Sequence, residues 1–125
     1  MSGGAADGRP APGLRLCALE ELADPGARGF VFEPVEGSGA WNPFRGIVLR
    51  REGEVRGFVD SCPHTGAPLS DDPERYLTKR GDFLVCWNHG ALFRPDDGVC
   101  VAGPCVKRAL RPWTVVVRAG EVLTG

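Results

Sequence analysis

Cysteine and histidine offer the most chemistry in this sequence, and they are grouped. The chain has five cysteines and two histidines. Both histidines fall within three residues of a cysteine, in Cys62-Pro63-His64 and in Cys86-Trp87-Asn88-His89. One Cys-x-His pair is readily ascribed to chance. Two such pairs that use every histidine in the chain are not. Each pair sits at the end of an apparent strand, with Val59-Asp60 leading into Cys62 and Leu84-Val85 into Cys86, and each is followed by glycine, at Gly66 and Gly90. Strands that end at the cysteines would fix the direction of the ligands, and the glycines would let backbone bend close to a bound group.

Thiolate and imidazole together point to a metal, in one of two arrangements. A single zinc ion takes two sulfurs and two nitrogens around one point. A [2Fe-2S] cluster in which histidines replace cysteines on one iron takes two sulfurs on one iron and two nitrogens on the other. Zinc sites often draw one pair from a Cys-x2-Cys knuckle and the other from a histidine pair. Here each loop supplies one sulfur and one nitrogen, which suits the two-iron arrangement better, although composition leaves both open.

The segments around the pairs read as short strands. Ile47–Arg50 and Val55–Val59 flank Arg51-Glu52-Gly53-Glu54, a hairpin turn with Gly53 at positive φ. Trp113–Arg118 and Glu121–Leu123 flank Ala119-Gly120, a second hairpin. Arg28–Val35 and Phe83–Cys86 read as strands, and "HGALF" leads into another. Arg15–Leu22 is ambiguous between strand and helical turn. The stretch 36–44, "EGSGAWNPF", reads as a loop, and "RPDDGVCVAGPC" carries two turn signals. Glycine and proline together make up 29 of the 125 residues, and no long helical stripe is free of them. The expected class is all-β and antiparallel, with at most a helical turn near Glu20 or in Asp72–Leu77. Residues 1–13 read as a flexible tail and 14–125 as one domain, with a metal-binding subdomain over about 60–106.

Acidic and basic residues nearly cancel, for a net charge of -1. A general nucleic-acid binder needs a basic surface, so that class is disfavoured. No apolar run of about 20 residues suggests a membrane span, and the first residues lack the apolar core of a secretory signal. The expected setting is cytoplasmic, where cysteines more often bind metals or stay reduced.

"CPH" at 62–64 and "CWNHG" at 86–90 resemble the two cluster loops of the Rieske iron–sulfur proteins. "ALF" after the second loop, "DGVCVAGP" and the closing "VVVRAGEVL" are similar to later parts of that family, and Gly103-Pro104 falls where its proline-containing cover loop lies. The resemblance spans Val55–Leu123. It implies a Rieske-like antiparallel β-sandwich or incomplete barrel with a small cluster-binding subdomain. It also implies one [2Fe-2S] cluster, with Cys62 and Cys86 on one iron and His64 and His89 on the other. Four protein ligands leave no open position for a substrate. The catalytic oxygenases of this kind hold mononuclear iron with two further histidines, which this chain does not have. The resemblance therefore implies a one-electron carrier without its own substrate site. Such a ferredoxin would run as a small monomer and pass electrons from a flavin reductase to a terminal oxygenase or another oxidoreductase. The alternatives are an accessory subunit held in a larger redox enzyme and a structural zinc module.

The sequence departs from the family pattern in three places. Twenty-one residues separate His64 from Cys86, a few more than is common, so 71–82 reads as an enlarged surface loop. Trp87 stands where proline is frequent and reads as a cap over the cluster end, with partner contact the lesser alternative. Ala67 and Asn88 occupy the places of two extra cysteines that form a disulfide in high-potential members. Those members also donate Ser and Tyr hydroxyls to the cluster from positions matching Ala91 and Phe93. Without these donors the expected potential is near the low end of a range of about -150 to +300 mV. Cys17 reads as a buried thiol. Cys100 and Cys105 flank "VAGP" and read as reduced structural thiols, with a bridge between them or spare-ligand roles as alternatives.

Overall fold

The computed structural model describes residues 8–34, 37 and 42–125. Among them, nine strands make three antiparallel sheets of three strands each. The first contains β1 (Arg15–Ala18), β8 (Val115–Arg118) and β9 (Glu121–Thr124), in the order β1-β9-β8. The second runs β2 (Gly26–Phe32), β3 (Phe44–Arg51), β4 (Glu54–Val59). The third is small: β5 (Leu84–Val85), β6 (Leu92–Phe93), β7 (Cys100–Ala102). The all-β expectation holds, and among the described residues the helical content is one 3-10 turn at Leu19–Glu21. The ambiguous segment 15–22 is thus both things in succession, strand and then turn.

Both hairpins fall at the expected residues. Arg51 pairs with Glu54 and Arg118 with Glu121, leaving two-residue turns at Glu52-Gly53 and Ala119-Gly120. All four turn residues have positive φ, between 49° and 80°. That is the turn whose twist matches the flanking strands. Glu52 therefore shares the left-handed conformation expected of Gly53 alone. The Asp24 carboxylate holds it there, accepting the N–H of Glu52 at 2.8 Å and of Gly53 at 2.9 Å.

Strand β3 is the hub. Alternate side chains leave it on opposite faces. Ile47 and Leu49 enter one core with Phe58, Leu84, Phe93 and four of the cysteines. Phe44 and Val48 enter another with Trp113, Val59 and Val122. Each of these fully buried aliphatic side chains contributes about 1.5–3 kcal/mol. The Trp113 ring lies directly on Gly46, where a Cβ would collide with it, and stacks edge-on at 5.3 Å from Phe44. The same segment links the two larger sheets. Val59 N–H donates to Arg111 O at 2.8 Å and Trp113 N–H to Gly57 O at 2.9 Å, so β4 keeps pairing with the chain that becomes β8. At the other end, Gly13 N–H donates to Thr124 O at 2.7 Å, fastening the approach to β1 onto β9.

Several expectations shift. Strand β2 begins at Gly26 and stops at Phe32, short of Pro34, which has no N–H to give a ladder; Val35 lies outside the described residues. Most of the loop 36–44 lies outside them too, and Phe44 already belongs to β3. Strand β7 was hidden among turn signals. The region 71–82 is more than a surface loop. Tyr76 is buried, Leu77 bridges Leu84, and Val85 N–H donates to Tyr76 O at 2.8 Å. Residues 76–78 thus fold back on β5 around Gly81. Asp72–Leu77 contains no helical turn.

Candidate cluster site

The two Cys-His loops are built on one local plan. Cys62 N–H donates to Ala67 O at 2.8 Å, and Gly66 N–H returns to Cys62 O at 2.7 Å. Cys86 N–H donates to Ala91 O at 2.9 Å, and Gly90 N–H returns to Cys86 O at 2.8 Å. In both loops the glycine stands four residues after the cysteine, with φ of 79° and 75°. An L side chain resists this conformation, so glycine closes each loop at low cost. The histidines differ in offset, being two residues after the first cysteine and three after the second.

This plan separates the four side chains into two pairs. Cys62 and Cys86 are buried and lie within hydrogen-bonding reach of each other. His64 and His89 are exposed, with ring centroids 5.1 Å apart and planes at 80°. A single tetrahedral zinc takes all four donors around one point. A two-iron cluster needs the opposite, a thiol pair behind and an imidazole pair in front, and the donor set present fits it.

Backbone amides are aimed at both buried sulfurs. Burial pushes the Cys62 thiol up, but the N–H groups of His64 and Thr65, with the neighbouring Cys86, outweigh it and bring it below the usual thiol range. Burial raises Cys86, opposed by the N–H groups of Asn88 and His89 and aided by the adjacent Cys62. The amide donors thus favour a negative sulfur at Cys62, while at Cys86 burial and the adjacent Cys62 outweigh them. The Thr65 hydroxyl also reaches the Cys62 sulfur. Reading the sequence missed this residue, because a threonine beside a turn glycine is ordinary; it is exposed, and its hydroxyl also accepts Ala67 N–H at 3.2 Å.

Neighbouring segments brace the loops. The buried Asp60, two residues before Cys62, accepts Leu69 N–H at 2.7 Å and the Tyr76 hydroxyl at 2.8 Å. Burial raises its carboxyl, and these two donors oppose the rise. Trp87 is 45% exposed. Its indole N–H donates to Arg75 O at 2.8 Å, and the Arg75 guanidinium lies 4.5 Å over its ring. Trp87 therefore pins the 71–82 region against the second loop, a role the sequence did not suggest. Gly103 of the cover segment approaches Ala91 so closely that a Cβ there would lie 2.8 Å from Ala91 Cα. Arg108 reaches back to Pro63 O at 3.0 Å, so the cover segment touches both loops. Ala91 and Phe93 are fully buried and carry no hydroxyl.

Comparison with known proteins agrees with this geometry. The family model of the Rieske [2Fe-2S] domain matches residues 16–119. The chain belongs to that family, and it carries one [2Fe-2S] cluster. Among solved structures, it is similar to a chain in the complex of reduced oxygenase and oxidized ferredoxin of carbazole 1,9a-dioxygenase, with 27% identity, a TM-score of 0.65, and 90% of this chain and 91% of that one covered. The ferredoxin of carbazole 1,9a-dioxygenase from Nocardioides aromaticivorans IC177 shares its fold at 24% identity and a TM-score of 0.64, over 93% of this chain and 98% of that one. The oxygenase component of chloroacetanilide N-alkylformylase from Rhizorhabdus wittichii is 44% identical over 63 residues, 48% of this chain and 16% of that protein. The chain thus matches only a small part of that relative's length.

Proposed function

We propose that Cys62 and Cys86 hold one iron of the cluster and His64 and His89 the other, and that the chain carries single electrons from a flavin reductase to a terminal oxygenase. The observation that carries this reading is the separation of buried thiols from an exposed pair of imidazoles 5.1 Å apart. Such a cluster would meet solvent at its histidine edge, where a partner's cofactor can approach. The buried sulfurs and their amide donors would stabilise its negative end. When bound, the cluster supplies one-electron redox chemistry. The protein's own groups orient it and keep water from its sulfurs. With four protein ligands it would have no vacant position for a substrate, so the reading includes no catalysis by this chain. The likeness to ferredoxin-containing carbazole dioxygenase structures supports an oxygenase as acceptor. A cytoplasmic setting belongs to the same reading and is compatible with five unpaired thiols.

The test is iron and acid-labile sulfide analysis with electron paramagnetic resonance of the reduced protein. About two irons and two sulfides per chain are expected, with the low average g-value of histidine-ligated clusters. Cys62→Ser and Cys86→Ser should each lose the signal. A signal unchanged by Cys62→Ser would overturn the ligand assignment. The segment 44% identical to an oxygenase component favours a second reading, a domain held permanently in a larger enzyme. Reduction by a flavin reductase followed by turnover of a separately purified oxygenase supports the shuttle. Tight co-elution with an oxygenase supports the second reading.

A further inference from the structure

Cys100 and Cys105 lie outside the proposed ligand set, yet they face each other. Their sulfurs are 3.1 Å apart, both residues are buried, and neither is bonded to another sulfur. The turn between them is closed on itself. Cys100 N–H donates to Arg108 O at 2.7 Å, Arg108 N–H to Cys105 O at 2.9 Å, and Lys107 N–H to Cys100 O at 3.3 Å. A disulfide needs its sulfurs about 2.05 Å apart, so roughly 1 Å of approach separates this pair from a bond. Gly103, Pro104 and Val106 are exposed around the turn while Cys100 and Cys105 are buried at 2% and 1% exposure, so a reagent would reach the sulfurs when this turn opens locally.

We propose that Cys100 and Cys105 form a second redox site, a dithiol that closes to a disulfide by exchange with a small-molecule disulfide such as oxidised glutathione. Burial and the neighbouring Cys100 push the Cys105 thiol up to about 12, so Cys100 is the first nucleophile: its thiolate attacks a sulfur of the reagent, forming a mixed disulfide and expelling one glutathione thiolate. The other protein thiolate then attacks the protein sulfur of the mixed disulfide and expels the second. Two glutathione molecules leave with the two thiol protons, the protein pair is oxidised by two electrons, and the reagent is reduced by two. The pair exchanges two electrons with thiols by sulfur–sulfur exchange, whereas the cluster passes one electron at a time, so this site would report the thiol balance of its surroundings. Disulfides inside cells are characteristically of this transient kind. The closed form would tie β7 covalently to the cover segment, whose Gly103 rests on Ala91 and whose Arg108 holds Pro63 O. The inference rests on the ligand reading in one respect: Cys62 and Cys86, once occupied by iron, leave Cys105 to pair with Cys100.

The experiment uses the cluster-loaded full chain, equilibrated without oxygen in glutathione buffers from fully reduced to mostly oxidised. Samples are acid-quenched, alkylated and digested with trypsin, while visible absorbance follows the cluster. Peptide 81–107 contains Cys86, Cys100 and Cys105. The expected result is a shift from three alkyl groups to one as the buffer becomes oxidising, with fragmentation locating the bridge at 100–105 and absorbance retained. Cys100→Ser should abolish the bridged peptide. Three alkyl groups in every buffer with an intact cluster would overturn the proposal, as would a bridge containing Cys62 or Cys86. If the purified chain binds no iron, the ligand reading fails, while the same peptide still shows whether residues 100 and 105 close.

Discussion

Removing a single oxygen, by Tyr76→Phe, tests how the first cluster loop is held. Tyr76 and Asp60 are 4% and 5% exposed, so the carboxylate has almost no water to replace a lost partner. The ring stays and no cavity forms. What disappears is the 2.8 Å bond to Asp60 Oδ2, leaving Leu69 N–H on the other oxygen. A hydrogen bond to a charged group contributes about 1.5–3 kcal/mol. The surviving bond to Leu69 places the expected loss in the lower half, about 1.5–2 kcal/mol. For a domain of this size that corresponds to a fall of roughly 5–10 °C in apparent melting temperature. The assay is a thermal ramp of cluster-loaded protein at one fixed rate, followed by visible absorbance and far-ultraviolet circular dichroism together. The fixed rate matters because cluster loss makes unfolding irreversible. Absorbance should fall at a lower temperature than in the parent, since Asp60 orients the chain into Cys62. Gly29→Ala should do similar harm, because its Cβ would press on the Tyr76 hydroxyl. A Tyr76→Phe midpoint within about a degree of the parent would refute the claim that this pair holds the loop.

Other outcomes follow from the same contacts. The midpoint potential should lie near the low end of the Rieske range of about -150 to +300 mV; a value above about +150 mV in a titration followed by electron paramagnetic resonance would defeat this. Thr65→Val should lower that potential by removing a hydroxyl from the Cys62 sulfur, and Phe93→Tyr should raise it if the new hydroxyl reaches the cluster; no change in the Thr65 variant would show that its hydroxyl does not act on the sulfur. Gly103→Ala puts a Cβ 2.8 Å from Ala91 Cα at a φ of 99°, and should destabilise the cover segment by about 1–3 kcal/mol, read as faster cluster loss under chelator. Trp87→Ala releases Arg75, so trypsin should cut sooner at Arg75, Lys79 or Arg80, whereas an unchanged digestion pattern would show that the indole does not pin this region.

Residue type and spacing alone carried the donor set to consider, the all-β class and both hairpin turns. Those features are largely local: Gly53 and Gly120 mark the two-residue turns, although Glu52 takes its positive φ with help from the distant Asp24, and each Cys-His loop closes at a glycine four residues after its cysteine. Contacts between distant segments were illegible, because nothing in a side chain's identity says which remote surface it will meet. Tyr76 lay in a polar stretch that looked like surface, and only folding back on β5 and bonding to Asp60 made it core. Trp87 was a departure from a pattern until Arg75 came to rest on it. The division of the four candidate side chains into a buried thiol pair and an exposed imidazole pair was also a tertiary outcome, since each loop contributes one of each and only their juxtaposition sorts them. The facing of Cys100 and Cys105 belongs between the two levels. Their separation of five residues permitted a bridge, and the hydrogen-bonded turn through Arg108 brought the sulfurs to 3.1 Å.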